Sequence, residues 1–178
     1  MGFAISFQSD HPSAEPIRAL WREVEHFEDA PSMAPLGYPP HVTLAIYEGD
    51  SVEEGQVRNA LDHASRHLKA LILTFDTIRS FEGSTTVLWA SPRYCRNLVD
   101  THAAIHAAID PKHCRPHYRP GMWIPHCTLG MRITGDRKRA ALSYAAAFKG
   151  VIDVTFDALD CIAFPSLAPV ALRKLPDK

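Results

Sequence analysis

Two five-residue segments, Pro40-His41-Val42-Thr43-Leu44 and Pro125-His126-Cys127-Thr128-Leu129, agree at four of five positions and lie 85 residues apart in a chain of 178. Each stands at the same place in a recurring order of elements: strand, helix, proline-rich loop, strand opening on Pro-His, helix, strand. The strand that follows the second helix reads Leu73-Thr74-Phe75-Asp76 in one half and Val154-Thr155-Phe156-Asp157 in the other, an offset of 81 residues. Loops absorb a drift of that size. A chain that spells one order twice is expected to fold as two similar lobes, approximately 1–85 and 86–178, within a single domain covering 1–178.

Local patterns place the elements. Gly2 to Phe7 is an apolar strand, and Ile17, Leu20, Trp21, Val24 and Phe27 follow at helical spacing after Pro16. The proline-rich stretch 31–40 must be a loop, and His41 to Tyr47 a strand. Ser51 with Glu54 reads as a capping box for a helix carrying Val57, Leu61, Ala64 and Leu68. Leu71 to Phe81 and Thr86 to Ala90 form strands about a Gly83-Ser84 turn, before a third helix from about Pro92 to Ile109. The strand His126 to Ile133 leads to a fourth helix, Asp136 to Phe148, with Gly150 as its C-cap. Val151 to Phe164 reads as one long strand and Val170 to Lys174 as the last. The fold class is α+β.

Side chains alternate across a strand, so His41 shares a face with Thr43, opposite Val42 and Leu44. His126 and Thr128 share a face in the same way. One face of each strand belongs to the core; the other carries an imidazole beside a hydroxyl, followed by Ala45 or Gly130, small enough to leave room for a ligand. If the symmetry brings the two strands together, two imidazoles and two hydroxyls converge. That set suits a phosphodiester. One imidazole takes a proton from the attacking oxygen and the other protonates the leaving oxygen, each worth roughly 10²–10⁴ in rate. Thr43 and Thr128 would donate to the non-bridging oxygens. No metal and no cofactor enters this scheme.

Charge narrows the substrate. Nineteen basic residues against twenty acidic leave a formal net charge of −1, without the excess that tracking a DNA duplex or a long RNA requires. A nucleotide or a short RNA end fits better. The four cysteines show neither a C-x-x-C pair nor zinc spacing. The N-terminal apolar run is too short for a signal peptide or a membrane span. A cytoplasmic, monomeric protein with reduced thiols is expected.

The paired motifs, their separation and the duplicated halves resemble the two-histidine (2H) phosphoesterase superfamily, which includes the LigT-like 2′–5′ RNA ligases and cyclic nucleotide phosphodiesterases. The resemblance spans essentially the whole chain, with identity concentrated in the two pentapeptides. It implies a bilobed fold with antiparallel sheets lining a central cleft, His41 and His126 as catalytic residues, and Thr43 and Thr128 as phosphate binders. Many RNA ligase relatives carry an arginine shortly after the second motif, and Arg132 stands one residue later than that position.

Further candidates are weaker. Arg132 as a phosphate clamp and Tyr47 as a base-stacking ring fall on the histidine faces if both strands stay regular, against the simpler account of strand-end residues in solvent. Lys112 to Arg119, a basic cluster, together with Trp123 would flank the cleft and hold a nucleotide, against a solvated loop. Two pairs of histidines at i, i+4 spacing, His63 with His67 and His102 with His106, lack H-E-x-x-H and read as structural. The favoured function is hydrolysis of 2′,3′-cyclic or related nucleotide phosphodiesters. Joining of 2′–5′ RNA ends and non-catalytic nucleotide binding are the alternatives.

Overall fold

The computed structural model describes residues 2–49 and 51–177. Its strands are β1 (Gly2–Gln8), β2 (His41–Tyr47), β3 (Leu71–Phe81), β4 (Thr86–Pro92), β5 (Cys127–Ile133), β6 (Ile152–Phe156), β7 (Ala158–Phe164) and β8 (Ala168–Lys174). Its helices are α1 (Glu15–Val24), α2 (Glu54–Ser65), α3 (Arg96–Ala108) and α4 (Arg137–Ala147). All strand pairs are antiparallel, in two four-stranded sheets ordered β2-β1-β7-β8 and β5-β4-β3-β6. This is the α+β architecture expected of the chain.

The apolar stretch 151–164 is not one strand. It breaks at Asp157, where the chain leaves the second sheet at Phe156 and enters the first at Ala158. Phe156, Ala158 and Leu159 are all fully buried, so the run is hydrophobic on both sides of the crossing and its pattern carries no mark of the change. Asp157 secures the break: its carboxylate accepts from the Asp10 N–H at 3.3 Å and from Lys174 Nζ at 3.2 Å.

This crossing mixes the halves. β7 and β8 complete the first sheet beside β1, while β3 completes the second beside β4. The matched segments Leu73–Asp76 and Val154–Asp157 are therefore neighbours rather than symmetry mates, with Leu73 opposite Val154 in one ladder. Helices exchange too. α1 packs on β5 of the second sheet, and α3 packs on β2 of the first. One continuous core runs through both sheets.

Several element ends differ from the sequence reading. α1 tightens into a 3₁₀ turn at Glu25–Phe27. The cap of α2 is Glu53 with Gln56, whose side chain accepts the Glu53 N–H at 2.9 Å, while the Ser51 hydroxyl turns back to the Glu48 carbonyl. β4 continues through Pro92, so α3 starts only at Arg96. α4 ends directly into extended backbone at Phe148, and Gly150 is not its cap. A Cβ on Gly150 would lie 2.7 Å from the Phe148 ring, so glycine there makes room for an aromatic side chain.

Candidate active site

The motif strands β2 and β5 are the edge strands of their two sheets, and they lie against each other. An edge strand leaves carbonyls without ladder partners. Here an indole supplies the missing donor in each case. Trp123 Nε1 donates to the Thr43 carbonyl at 3.0 Å, and Trp21 Nε1 donates to the Thr128 carbonyl at 3.0 Å. Each motif is thus held by a tryptophan from the other half of the chain.

The two imidazoles are set identically. His41 Nδ1 lies 2.9 Å from the Pro39 carbonyl, and His126 Nδ1 lies 2.7 Å from the Ile124 carbonyl. A carbonyl can only accept, so each Nδ1 carries the proton and each Nε2 is the free atom. Burial lowers the His41 pKa to about 4; the Pro39 carbonyl opposes this and the charge of His126 adds to it. Burial lowers that of His126 as well, opposed by the Ile124 carbonyl. Both imidazoles are therefore held neutral at neutral pH.

The surroundings of the two rings differ. His41 stands beside Tyr38, with ring centroids 4.7 Å apart. His126 sits among Phe81 at 5.2 Å, Trp89 at 5.8 Å and Tyr118 at 6.4 Å. Thr43 and Thr128 are half-buried. The Thr43 hydroxyl lies 3.2 Å from Ser6 Oγ. Cross-strand pairing sets Thr43, Ser6 and Asp160 in one row on the first sheet. On the second sheet it sets Thr128, Trp89 and Arg79 in the corresponding row. Arg79 is exposed and forms no ion pair among the described residues.

Neither motif strand stays regular. Ser6 pairs with Thr43 but Ile5 pairs with Ala45, which leaves Leu44 as an extra residue. Trp89 pairs with Thr128 but Leu88 pairs with Gly130, which leaves Leu129 extra. The motif leucine is a bulge in both copies, and it inverts the facing of the residues after it until the next irregularity, which in β5 comes at Met131–Arg132, where Leu88 pairs with Gly130 and Thr86 with Ile133. Ala45 and Tyr47 consequently turn into the core, with Tyr47 only 1% exposed; a base-stacking role for Tyr47 gives way to a packing one. Gly130 turns toward α1, where a Cβ would lie 2.6 Å from Val24 Cγ1, so its smallness serves the helix rather than a ligand. Arg132, exposed at the end of β5, reaches the Pro31 carbonyl at 3.4 Å.

Glu28 holds the further bulge of β5, at Met131–Arg132. This carboxylate, 4% exposed, accepts from the Met131 N–H at 2.7 Å, the Arg132 N–H at 2.9 Å and the Ser32 N–H at 3.1 Å. The other flank candidates are also engaged. Arg119 donates to the Cys114 and Lys112 carbonyls at 2.8 and 2.9 Å, stapling its own loop. Trp123 lies flat against His102, with centroids 4.1 Å apart. His102 and His106 both donate Nε2–H to the Tyr118 carbonyl, at 2.8 and 2.9 Å. Among the described residues no three His, Cys, Asp or Glu side chains cluster as metal ligands would, and no helix is long and apolar enough to cross a membrane.

Residues 10–164 match the model of the 2′-5′ RNA ligase superfamily. The chain belongs to that superfamily. Solved structures of the 2H phosphoesterase group share its fold. E. coli LigT in apo form is 16% identical, with 99% of each chain covered and a TM-score of 0.59. E. coli LigT complexed with 3′-AMP is 18% identical, covering 99% of this chain and 94% of that one, at 0.58. The MHV ns2 PDE domain is 15% identical, with 98% and 97% covered, at 0.52. Comparison with curated proteins yields no match.

Membership in the 2′-5′ RNA ligase superfamily accords with the paired motifs, yet the sequence passed over several residues around them. Tyr38 stands three before His41, as Trp123 stands three before His126, and the repeat of an aromatic at that spacing is the signal that marks it. Asp160 is the one carboxylate within the apolar run Ala158–Phe164. An acid inside a buried strand is itself a flag. Ser6, Phe81 and Arg79 carry no such signal, because only sheet pairing brings them to the site.

Proposed function

We propose that this protein hydrolyses 2′,3′-cyclic or related cyclic phosphodiesters of nucleotides and short RNA ends, with His41 and His126 as acid and base. The observation that carries the reading is the matched anchoring of both Nδ1 atoms to their own chain. It leaves two Nε2 atoms, one per motif, for proton transfer. One Nε2 takes a proton from water as its oxygen attacks phosphorus. The bond from phosphorus to the 2′ or 3′ oxygen breaks, and the other Nε2 gives that oxygen its proton. The product is a phosphomonoester, and the two histidines exchange protonation states. Thr43 and Thr128 donate to the non-bridging oxygens. Both proton transfers are made by side chains, so the step calls for no metal.

The substrate class follows from charge and size: the net charge of −1 suits a mononucleotide or a short end rather than a long duplex. E. coli LigT has been solved with 3′-AMP, which supports a nucleotide as ligand. Incubation with a panel of 2′,3′-cyclic nucleotides, with and without EDTA, tests the reading. Activity should survive EDTA and be lost in His41→Ala and in His126→Ala. Unchanged turnover in both variants rules the mechanism out.

The family's description favours a second reading, the joining of RNA ends through a 2′–5′ bond. The same four groups serve this reaction with a ribose 5′ hydroxyl in the place of water: its oxygen attacks phosphorus as one Nε2 takes its proton, and the bond to the 3′ oxygen breaks as the other Nε2 protonates that oxygen, leaving a 2′–5′ diester. Supplying RNA halves, one ending in a cyclic phosphate and the other in a free 5′ hydroxyl, distinguishes joining from hydrolysis. Tight nucleotide binding without turnover between about pH 5 and 8 would instead mark a binding protein.

A further inference from the structure

Residues that hold both motifs also line a cavity of about 370 Å³ between α1 and the loop before β2. Its walls include Asp10, Arg18, Trp21, Arg22, Tyr38 and Pro39. Tyr38 lies against the His41 ring, with centroids 4.7 Å apart, and the Pro39 carbonyl accepts His41 Nδ1–H at 2.9 Å. Trp21 donates to the Thr128 carbonyl at 3.0 Å. The cavity is thus one side chain removed from the histidine of the first motif and from the backbone of the second.

Its lining has the chemistry of a nucleotide site. Both aromatic residues have their polar atoms engaged, Trp21 Nε1 by Thr128 and the Tyr38 hydroxyl by Asp160 at 2.6 and 2.8 Å. They offer only ring surface. The Arg18 guanidinium has the opposite character. A single one of its nitrogens meets the Ser9 carbonyl at 3.4 Å and the Asp10 carboxylate at 3.8 Å. It has no other partner among the described residues, so most of its five N–H groups are left for a ligand. Arg22, by contrast, is committed to Glu15 at 2.8 Å. Ring surface beside one loosely held guanidinium suits a base and a phosphate. The volume lies at the lower end of small-molecule sites, on the scale of one nucleotide.

Hydrolysis gives such a site no occupant. An RNA that ends in a cyclic phosphate approaches with its own chain on the side of the leaving oxygen, and the attacking group arrives from the opposite side of phosphorus, roughly in line. Water needs no cavity; a second nucleotide does. We propose that this cavity is an acceptor site, which holds the first nucleotide of a second RNA with that nucleotide's 3′ phosphate on Arg18 and its 5′ hydroxyl toward the phosphate between the histidines. The chain with the cyclic end then lies on the His126 side, among the Phe81 and Tyr118 rings, with Arg79 in the row of Thr128. The 5′ hydroxyl gives its proton to His41 Nε2 as its oxygen bonds to phosphorus. The bond from phosphorus to the 3′ oxygen breaks, and that oxygen takes the proton of His126 Nε2, leaving a 2′–5′ diester. Water stands in for the hydroxyl when the cavity is empty, so its occupancy decides between joining and hydrolysis.

This inference rests on the phosphodiester reading, and the readout keeps the two apart. Adenosine 2′,3′-cyclic phosphate is incubated with increasing ApA, a dinucleotide with a free 5′ hydroxyl and one phosphate. The fraction of initial turnover that ends in the 2′–5′-joined trinucleotide, rather than in adenosine monophosphate, is measured by chromatography. A variant that is merely slower leaves this fraction unchanged. In the wild type it should rise with ApA and level off. Arg18→Ala should move the half-point to about 10–100-fold more ApA, the loss of one charge-assisted hydrogen bond. Adenosine, which has no phosphate for Arg18, should be a weak acceptor and equally so in wild type and Arg18→Ala. Ala34→Phe, which puts a ring into the cavity from its wall, should return nearly all turnover to hydrolysis. Hydrolysis without any joined product, a half-point for ApA that is the same in wild type and both variants, or an Arg18→Ala effect on adenosine as large as on ApA overturns the proposal. If the wild type consumes no cyclic nucleotide, or if His41→Ala and His126→Ala both still do, the phosphodiester reading itself has failed.

Discussion

Trp123 donates its indole N–H to the carbonyl of Thr43 at 3.0 Å, so the residue three before the second motif holds the backbone of the first. The bond ties the loop before β5 to the edge strand β2 of the other sheet. Trp123→Phe keeps an aromatic ring against His102 but removes the donor together with the five-membered ring that carries it. Leaving a partly buried carbonyl unpaired costs about 1–3 kcal/mol. Urea denaturation should show that loss, and kcat should fall because both motifs lose their common reference. Trp21→Phe should do the same through Thr128. Equal stability and unchanged kcat in both variants would mean that the indoles only fill space.

Glu28 and Gly130 shape the irregular end of the second motif strand. Glu28→Ala strips the acceptor from three backbone N–H groups, and a loss of about 3 kcal/mol or more is expected by calorimetry. Glu28→Gln, which keeps an acceptor oxygen, should lose less. Gly130→Ala drives a methyl to within 2.6 Å of Val24 Cγ1, an overpacking worth about 1–3 kcal/mol. Val24→Ala should restore part of that in the double variant. Failure of the pair to compensate would contradict the contact.

Stability should depend on pH through buried groups of opposite sign, of which His102 and Asp160 lend themselves to substitution. Burial, aided by the charge of His106 and opposed by the Tyr118 carbonyl, lowers the His102 pKa to about 4, against about 6.5 in an unfolded chain. The unfolded form binds the proton first, so the contribution of His102 is present above about pH 6.5 and is lost as pH falls toward 4. Asp160 runs the other way. Burial raises its folded value to about 7, above the unfolded value near 3.9, so its contribution is full below about pH 4 and is lost as pH rises through 7. His102→Phe should flatten the acid arm of Tm against pH. Asp160→Asn should raise Tm at pH 8 relative to pH 5. Parallel curves for wild type and variants would refute both assignments.

Arg79 is an exposed guanidinium in one row with Trp89 and Thr128. A further phosphate of an RNA end would meet it, whereas a cyclic mononucleotide has only the phosphate held at the motifs. Arg79→Ala should raise KM for a short oligonucleotide by about 10–100-fold, the loss of one charge-assisted hydrogen bond. Its effect on a cyclic mononucleotide should be small, and salt should lessen the difference. Equal changes for both substrates would place Arg79 outside the substrate path.

What the chain states locally proved sufficient for much of this protein. Alternation over His41–Thr43 and His126–Thr128 put each imidazole beside its hydroxyl, because the pleat of a strand needs no information beyond neighbouring residues. Apolar spacing marked the first two helices, and the doubled motif marked the family. Tertiary structure decided the rest, wherever a partner distant in the chain completes a local feature. Glu28 reaches Met131 and Arg132 from 103 and 104 residues away and holds the bulge at the end of β5. The bulge at Leu44 sends Tyr47 into the core. The crossing at Asp157 sets Asp160 beside Ser6, and so beside Thr43. Period and propensity describe a segment by itself, but a bulge, a change of sheet and a buried carboxyl are satisfied only by atoms that folding brings from elsewhere.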